Sequence, residues 1–332
     1  MALGFGLIGC GGMGRDLAQV LRDHVAEAEM AAAFDPYGPN LEKASQDLGV
    51  SSAASLEELL DRGDVEAVII ASPNHLHCEQ TVAAAEAGKR VFCEKPMALS
   101  AAECDRMMEA CERAGVKLMV GQCLRLVPMA RRLREVVAAG ELGEPRFGLA
   151  TFFHRRFRPR PSGSWHMERR YCGGLIFHCA IHEIDLFHAL FGPTRRVQYA
   201  GARYGEQVRD FDDVGTLVME FESGATGVIS TSSISAVECR DLRLICSGGF
   251  ARWDTPWTYL EYGSDLEHLT KVEAKELAGP DMYDAELRSF ARWILHDETP
   301  VLTAAEGRAA VAVAEAAQKA EQTGRPIAVG AD

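Results

Sequence analysis

The sequence predicts an α/β protein of two domains, the first built on a doubly wound parallel sheet. Two observations lead to this prediction. Up to about residue 122, short apolar runs alternate with segments of helical spacing, as in "VEAVIIAS", "HCEQTVAAAEAG" and "RVFCEK". After that point the alternation stops, and strand patterns such as "GTLVMEFESGATGVISTSS" follow. Because helical connections make successive strands parallel, we assign residues 1–122 to a parallel-sheet domain and residues 123–332 to a second α/β domain.

A glycine-rich turn lies between the first apolar run, "LGFGLI", and the first helical pattern, "RDLAQVLRDH". Its glycines have the spacing G-x-G-x-x-G. In this setting the first glycine permits a tight turn, the second lets a pyrophosphate approach the backbone, and the third lets the helix lie close to the strand. The alternative is a turn with a purely structural role. We predict a dinucleotide site at this helix N-terminus, formed by Gly9, Gly11, Gly12, Met13 and Gly14.

Asp35 ends the second apolar run, about twenty residues after the last of these glycines, where a carboxylate that binds ribose hydroxyls is expected. Such a carboxylate repels a 2′-phosphate. The residues that follow, "PYGPN", contain no arginine or lysine that could receive one. We therefore expect NAD as the cofactor and regard NADP as less favoured.

The composition argues against several kinds of partner. The formal net charge of −13 at pH 7 disfavours nucleic acid and anionic membranes as partners of the whole molecule. The ten cysteines form no CxxC pair or regular framework, which is typical of buried free thiols in a reducing compartment. The first predicted strand begins without a basic leader, and no apolar run approaches the length that spans a bilayer. We expect a cytoplasmic enzyme.

Two polar peptides follow predicted strands of the first domain: "SPNHLH", residues 72–77, and "EKP", residues 94–96. Ligands of doubly wound sheets bind beyond the carboxyl ends of the strands, so both peptides should face the cofactor. Together with the glycine turn, they resemble the Gfo/Idh/MocA oxidoreductase family, and the resemblance extends over nearly the whole chain. It implies an N-terminal Rossmann domain and a C-terminal α/β domain with a large, mainly antiparallel open sheet. Such a sheet often mediates assembly, here into a homodimer or homotetramer.

The resemblance also implies roles for individual residues of the first domain. Lys95 of the Glu-Lys-Pro peptide would be catalytic, because it would hydrogen-bond the reacting hydroxyl and help its proton to leave. Glu94 would orient nearby groups. The predicted cofactor contacts beyond the glycine turn and Asp35 are Ser72, Asn74, His77, Glu94, Lys95 and Gln122.

The segment "GGLIFHCAIHEIDLFHALFG" is predicted to form a helix of the second domain. His178, His182 and Asp185 follow one another at spacings of four and three, which places them on one face. The segment resembles the family's substrate motif, in which a histidine at the position of His182 is the general base or acid and Asp185 orients it or binds a substrate hydroxyl. His178 stands where the family often has aspartate; it is a substrate contact, a second acid or base, or a packed histidine. These three residues also have ligand-like spacing, but we expect no metal.

An arginine-rich segment, "HRRFRPRPSGSWHMERRY", precedes this helix and carries six arginines against one acid. One interpretation is a substrate site in which Arg155 binds an anionic group and Trp165 stacks on a sugar face. The other interpretation, which we favour, is a solvated loop or a subunit contact. Arg125 resembles the arginine that borders the active cleft in the family, and it completes the predicted substrate contacts.

These residues and the resemblance together predict a NAD-dependent dehydrogenase. It would transfer a hydride between a secondary alcohol of a cyclic polyol or sugar and nicotinamide, with Lys95 and His182 sharing the proton transfer. The peptide "IHEID" resembles inositol dehydrogenases within the family. Two alternatives stay open: a sugar 3-dehydrogenase or ketosugar reductase acting on a glycoside or acidic sugar, and a non-catalytic NAD-dependent sensor or scaffold.

Overall fold

The computed structural model describes residues 2–155, 164–205, 209–255, 257–277 and 279–330. The chain divides into two compact units, one of Met1–Cys123 with Pro280–Arg308 and the other of Leu124–Gly279 with Ala309–Asp332. The sequence analysis assigned all of residues 123–332 to the second domain. The structure differs because a C-terminal segment packs with the first unit.

The first unit is built on a parallel sheet whose strands are connected by helices. Its elements up to residue 121 are β1 (Leu3–Ile8), α1 (Gly12–His24), β2 (Ala28–Phe34), α2 (Gly38–Leu48), β3 (Ser51–Ser52), α3 (Leu56–Leu60), β4 (Ala67–Ile70), α4 (His77–Glu86), β5 (Arg90–Glu94), α5 (Ala101–Ala114) and β6 (Leu118–Gly121). The strand order is β3-β2-β1-β4-β5-β6, and all neighbours are parallel. The order reverses between β1 and β4, where dinucleotides bind in sheets of this type. The predicted doubly wound fold is confirmed.

The rest of the chain forms a second, larger sheet and several helices. Its elements are α6 (Pro128–Ala138), β7 (Pro145–Arg155), α7 (Arg169–Cys172), α8 (Ile181–Phe191), β8 (Thr194–Ala202), β9 (Val214–Phe221), β10 (Thr226–Ser235), β11 (Leu242–Cys246), β12 (Phe250–Trp253), β13 (Tyr259–Gly263), β14 (Leu269–Glu273), α9 (Met282–His296), α10 (Ala304–Thr323) and β15 (Ile327–Ala328). The nine strands have the order β14-β13-β12-β11-β7-β10-β9-β8-β15. Strands β7 and β10 pair in parallel, and the other neighbours are antiparallel. The predicted large, mainly antiparallel sheet is confirmed.

Helix α9 belongs to the first unit because its apolar side chains are buried there. Phe290 is fully buried, with its ring centroid 6.1 Å from that of Phe5 and 5.9 Å from that of Phe92. A buried phenylalanine contributes about 3–5 kcal/mol relative to alanine, which helps to hold this helix to the sheet. The start of α10 also belongs to this unit, since Arg308 forms an ion pair with Asp105 of α5 at 2.6 Å.

One helical segment, Arg169–Phe191, is long and apolar enough to cross a membrane by length and composition alone. The sequence analysis found no such segment because polar residues such as His178 and His182 interrupt its apolar run. In the structure, however, 83% of the most apolar window is buried inside the protein, as in a core helix.

Candidate active site

The glycine turn connects β1 to α1 in the first unit. Gly9 has a φ of +93°, and a Cβ there would lie 2.5 Å from the backbone nitrogen of Ser72, so only glycine fits. A Cβ on Gly14 would overlap the carbonyl oxygen of Gly9. Gly11 and Gly12 differ, because a Cβ on either would meet no atom within 4 Å among the described residues. The outer glycines therefore close the turn, and the middle ones leave space in front of the backbone.

The N-terminus of α1 has the properties of an anion-binding site. Gly11 is the N-cap residue, no side chain caps the helix, and its first turn contains no acidic residue. Backbone N–H groups of a first turn have no partner within the helix and carry the positive end of its dipole. Gly12 and Met13 contribute such groups. The five residues predicted for the pyrophosphate site therefore lie together at a helix end that suits a phosphate.

Asp35 lies just after β2 and is bonded to the glycine turn. Its Oδ2 accepts the backbone N–H of Cys10 at 2.8 Å, and its Oδ1 accepts that of Tyr37 at 2.8 Å. A carboxylate has about four acceptor positions, so these bonds orient it without exhausting its capacity for ribose hydroxyls. Arg15 on α1 is close by, since its Nη1 donates to the carbonyl oxygen of Cys10 at 2.6 Å. Inspection of "PYGPN" missed this cation because it precedes Asp35 in the chain.

Ser72 and Asn74 lie beyond the carboxyl end of β4. The Ser72 hydroxyl donates to Oε1 of Gln80 at 2.5 Å, and Asn74 is 5% exposed in a short 3-10 turn. Strand β4 neighbours β1 in the sheet. This peptide therefore adjoins the glycine turn, at the position where the sequence analysis placed a cofactor contact.

His77 connects the two polar peptides from inside the unit. Its side chain is 1% exposed, with Nδ1 2.8 Å from the carbonyl oxygen of Pro96 and Nε2 3.0 Å from that of Ser72. Burial lowers the pKa of His77, although both carbonyls favour the charged ring. Both ring nitrogens lie within hydrogen-bond distance of backbone carbonyls, so His77 fixes the ends of β4 and β5 relative to each other. Its predicted contact with the cofactor stays a prediction.

Lys95 directly follows β5 and is half-buried. On one side is Glu94, 6% exposed, whose Oε2 accepts the backbone N–H of Lys95 at 2.9 Å. On the other side is Pro96, whose carbonyl oxygen contacts His77. Burial raises the pKa of Glu94 to about 7, and the positive charge of Lys95 opposes this shift. The strand end therefore presents a lysine on a peptide that is fixed from both sides.

A second buried carboxyl, Glu286 of α9, interacts electrostatically with Glu94. It is 1% exposed, and neither of its oxygens has a hydrogen-bond partner in the part of the chain that the structure describes. Burial, and then the charges of Glu94 and Asp281, raise the pKa of Glu286 well above its usual value. Tyr283 is a further titratable residue that interacts electrostatically with Glu94 and Glu286. Burial raises the pKa of Tyr283, and the charges of Cys123 and Glu94 add to this shift. The sequence analysis missed Glu286, which stands in an ordinary amphipathic pattern.

We expect the free energy of unfolding to fall as the pH rises from about 5 to 7. In this window the unfolded chain releases protons that the buried carboxyls keep, because the pKa values of Glu94 and Glu286 are raised in the folded state. For Glu94, with a pKa of about 7 against 4.5, the contribution present below pH 4.5 and lost by pH 7 is on the order of 3 kcal/mol. In the variant Glu286→Gln one of the two groups no longer titrates, so its stability should depend less on pH.

Urea unfolding at several pH values between about 5 and 8 measures this dependence. Glu109→Gln is the matched control, since Glu109 is an exposed glutamate on α5 of the same unit. If the free energy of unfolding changed with pH to the same extent in Glu286→Gln and in the control, the assignment of raised pKa values to Glu94 and Glu286 would be contradicted.

Gln122 directly follows β6 and has an unsatisfied amide. It is 2% exposed, and neither Oε1 nor Nε2 has a hydrogen-bond partner among the described residues. A buried polar group without a partner costs about 1–3 kcal/mol, which a ligand with both a donor and an acceptor would recover. A nicotinamide carboxamide has both. Together with the open backbone at Gly11 and Gly12, this amide makes the residues of the first unit fit a nicotinamide dinucleotide.

In the second unit, the helix that the sequence predicts is interrupted by a π turn. The turn covers Ile176–Ala180 and contains His178, which is half-buried with its ring centroid 5.7 Å from that of His166. His182 lies in the first turn of α8 and is 8% exposed. π turns are frequent at functional sites. Spacing alone assumed a regular helix, and it did not foresee this contact with His166. Among the described residues, no group of three or more histidine, cysteine, aspartate or glutamate side chains is arranged to hold a metal ion.

Arg125 and Asp185, both predicted to contact the substrate, form an ion pair with each other. Nε of Arg125 donates to Oδ2 of Asp185 at 2.7 Å, and Nη2 donates to Oδ1 at 2.5 Å. The side chains are 3% and 1% exposed. A bidentate pair of this kind is strong and geometrically specific. The guanidinium and the carboxylate are therefore enclosed and orient each other, and their contact with a substrate stays a prediction.

The arginine-rich segment is described only in part, since residues 156–163 lie outside the described residues, as does the side chain of Arg155 at the end of β7. Trp165 is half-buried, and its ring stacks on His166 with centroids 3.7 Å apart. One face of the indole that was predicted to stack on a sugar is therefore covered by a protein ring. Arg169 pairs with Glu321 at 2.6 Å and therefore has a structural role.

Comparison with known proteins identifies the family. A model described as "Oxidoreductase family, NAD-binding Rossmann fold" matches residues 3–122, and the "GFO/IDH/MocA C-terminal domain" matches residues 130–252. The uncharacterized oxidoreductase YrbE of Bacillus subtilis (strain 168) is 31% identical over 286 residues, which are 82% of this chain and 80% of the relative. The chain belongs to the Gfo/Idh/MocA oxidoreductase family.

Other relatives of this Gfo/Idh/MocA oxidoreductase differ in their activities. The 2,7-anhydro-N-acetylneuraminate hydratase of Mediterraneibacter gnavus is 32% identical over 70% of this chain, and the match spans only 62% of that relative's length. The myo-inositol 2-dehydrogenase of Thermotoga maritima is 28% identical, and the match covers 97% of each chain. Family membership therefore establishes a NAD-binding Rossmann domain and leaves the reaction and the substrate to be proposed.

Proposed function

We propose that this chain is a NAD-dependent dehydrogenase that transfers a hydride between a secondary alcohol of a cyclic polyol or sugar and nicotinamide. The observation that carries the proposal is the fixed strand end at Lys95. The lysine is half-buried beside the enclosed Glu94, on a peptide that His77 holds in place. A sensor or scaffold that only binds the dinucleotide needs no lysine held in this way.

Residues of the first unit would hold the cofactor. The backbone at Gly11 and Gly12 would receive the pyrophosphate at the N-terminus of α1, and Asp35 would accept hydrogen bonds from the ribose hydroxyls. The amide of Gln122 would bind the carboxamide. Bound NAD supplies the nicotinamide C4, which accepts the hydride. Asp35 supports NAD over NADP through its charge, which opposes a 2′-phosphate.

Oxidation of a secondary alcohol requires loss of the hydroxyl proton as the hydride leaves the carbon. We assign this proton transfer to Lys95 and His182. Nζ of Lys95 donates a hydrogen bond to the alcohol oxygen and stabilises the negative charge that develops there. The neutral imidazole of His182 accepts the proton, which suits a group that titrates near physiological pH in its unperturbed form. In the reducing direction the same groups return the proton.

Two compound classes are candidate substrates. Neutral cyclic polyols are supported by the myo-inositol 2-dehydrogenase that matches along nearly the whole chain. Sugars that carry a carboxylate are supported by the relative named for a neuraminate derivative. The second class corresponds to the acidic-sugar alternative of the sequence analysis.

We further propose a cytoplasmic location and a homodimer or homotetramer. All ten cysteines are free thiols, which persist in a reducing compartment. The exposed apolar side chains of Phe147 and Ile245 lie directly opposite each other on β7 and β11. A pair of this kind on an open sheet supports a contact between two copies of the chain through this face.

The test of the proposed function is NADH formation by the purified chain with a panel of alcohols. The panel contains myo-inositol, scyllo-inositol, D-glucose, D-xylose, D-glucuronate and D-gluconate, each with NAD and with NADP. We expect turnover with at least one of these compounds and a preference for NAD, because a carboxylate at the ribose repels the additional phosphate. NADH absorbance measures the rate.

Tight NAD binding without reduction by any member of the panel, in either direction of the reaction, would contradict the dehydrogenase and favour the sensor. A preference for NADP would contradict the role of Asp35 and direct attention to Arg15, the cation at the same turn.

A further inference from the structure

The carboxyl of Glu94 lies where two neighbouring strands of the first unit end. Glu94 is the last residue of β5 and pairs in register with Gly121, the last residue of β6. A Cβ on Gly121 would lie 3.5 Å from Oε1 of Glu94, so the carboxyl lies against that glycine. The next residue is Gln122, whose buried amide has no hydrogen-bond partner among the described residues. The carboxyl therefore adjoins the residue whose amide would bind the nicotinamide carboxamide.

Glu94 is enclosed beside the positive charge of Lys95. It is 6% exposed, and its Oε2 accepts the backbone N–H of Lys95 at 2.9 Å. Burial raises the pKa of Glu94 to about 7, although the charge and the N–H of Lys95 both favour the carboxylate. The group is therefore divided about equally between its neutral and charged forms at about pH 7. A carboxyl in this state responds to a further charge that comes near it.

Neighbouring titratable groups stay neutral while Glu94 changes its charge. Glu286 of α9 is 1% exposed, and burial, followed by the charges of Glu94 and Asp281, raises its pKa well above the usual value. Burial also raises the pKa values of Tyr283 on α9 and Cys93 on β5, and the charge of Glu94 adds to both shifts. Asp281 is the N-cap residue of α9 and accepts the backbone N–H of Tyr283 at 2.9 Å. The carboxyl of this cluster that titrates at about pH 7 is therefore Glu94.

A positive charge at these strand ends would favour the carboxylate form of Glu94. An opposite charge within about 4–6 Å lowers the pKa of a carboxyl by about 1–3. The nicotinamide ring is positive in NAD and neutral in NADH, whereas the pyrophosphate and both riboses are the same in the two forms. NAD and NADH would therefore make the same contacts with the glycine turn and with Asp35. They differ in charge at the end that Gln122 would bind.

We propose that the Glu94 carboxylate balances the positive charge of the oxidised nicotinamide ring, so that the affinity for NAD rises with pH and the affinity for NADH does not. The proposal rests on the proposed function, which assigns the nicotinamide carboxamide to Gln122. When NAD binds, protonated Glu94 releases its proton to the solvent, and with NADH it keeps the proton. Glu94 thereby favours the oxidised cofactor, and with it the oxidation of the alcohol, as the pH rises.

The test is calorimetry of NAD and NADH binding to the full chain between about pH 6 and pH 8, in two buffers that differ in ionisation enthalpy. Together the two buffers measure the affinity and the number of protons released. If the pKa of Glu94 falls by about 1 beside the ring, the affinity for NAD should rise about 5-fold from pH 6 to pH 8. About 0.4 proton should then be released per NAD bound at pH 7. The affinity for NADH should stay constant over the same range.

Glu94→Gln keeps an oxygen that can accept the N–H of Lys95 and cannot become charged. It should bind NADH as the wild type does and release no proton with NAD. Its preference for NAD over NADH at about pH 8 should be about 10-fold lower than that of the wild type, the factor that corresponds to a pKa change of about 1. Glu286→Gln is the matched control, because it makes the same change at the buried carboxyl that stays protonated. Its proton release and its preference for NAD should equal those of the wild type.

Equal proton release with NAD and with NADH in the wild type overturns the proposal, and this comparison needs no variant. A release with NAD that persists in Glu94→Gln also overturns it, because the proton would then come from another group, such as Lys95. So does a release that is lost in Glu286→Gln, since Glu286 would then be the carboxyl that changes its charge.

These results are separable from the outcome for the proposed function, because they measure binding rather than turnover. NAD reduction by an alcohol of the panel, without proton release that depends on Glu94, leaves the dehydrogenase and removes the role of Glu94. Proton release with NAD that depends on Glu94, without NAD reduction by any compound, supports the role of Glu94 and removes the dehydrogenase.

Discussion

Replacement of Lys95 by alanine is expected to lower the rate of NADH formation by about 10²- to 10⁴-fold, the usual contribution of a positioned proton-transfer group. The affinity for NAD should stay near that of the wild type, because the pyrophosphate and ribose contacts lie elsewhere on the sheet. The lysine is half-buried and directly follows β5, so its removal should leave the core unchanged. Steady-state kinetics and NAD titration by calorimetry measure the two effects separately.

Asp35→Ala should affect NAD binding more than the catalytic rate, which is the opposite of the effect expected for Lys95→Ala. This change removes the acceptor for the ribose hydroxyls and two hydrogen bonds to the backbone, so NAD binding should weaken more than the rate at saturating NAD. The contrast between the two variants separates cofactor binding from chemistry. It also excludes a general loss of structure as the explanation for Lys95→Ala.

Lys89→Ala is the matched lysine control. Lys89 is also half-buried and lies just before β5, where its Nζ donates to the carbonyl oxygens of Arg62 and Val65. Its removal should lower stability and leave the rate at saturating substrate unchanged. Wild-type turnover in Lys95→Ala, or an equal loss of turnover in Lys89→Ala, would contradict the assignment of proton transfer to Lys95.

The parts of the site that could be predicted from the sequence are those in which local backbone geometry sets the function. Gly9 must adopt a positive φ and Gly14 must leave space for a carbonyl, so both requirements are visible as glycines at fixed spacing. Lys95 could be placed because strand ends of a doubly wound sheet meet on one edge. These inferences need only the alternation of strands and helices and the turn between them.

The remaining features depend on contacts between distant parts of the chain. Glu286 stands in an unremarkable local pattern, and its surroundings become special only after folding. His77 was assigned to the cofactor because of its place next to a strand end. Its ring connects two loops, and a sequence does not distinguish these roles since both require a histidine after β4. The π turn at His178 likewise departs from the regular spacing on which helical predictions rely.

Separate substitutions of Arg125 and Asp185 are expected to destabilise the protein by about 3–5 kcal/mol each, because each breaks a buried ion pair and leaves its other charge in the interior. The double variant Arg125→Met with Asp185→Leu should lose much less than the sum of the single effects, since both charges of the pair are then removed. Urea unfolding of the wild type, Arg125→Met, Asp185→Leu and the double variant measures the coupling. The exposed pair Arg196 and Glu220 serves as the control, where Arg196→Gln should cost at most about 1 kcal/mol.

This cycle also decides between two roles for Asp185. A carboxylate that binds a substrate hydroxyl would raise KM when replaced and would couple weakly to Arg125. A carboxylate that pairs with Arg125 holds α8, the helix that carries His182, so its loss should lower stability and kcat while KM changes little. Additive single effects in the cycle, with a rise confined to KM, would assign Asp185 to the substrate site. Strong coupling with a loss in kcat would show that the ion pair positions His182, the proposed catalytic histidine.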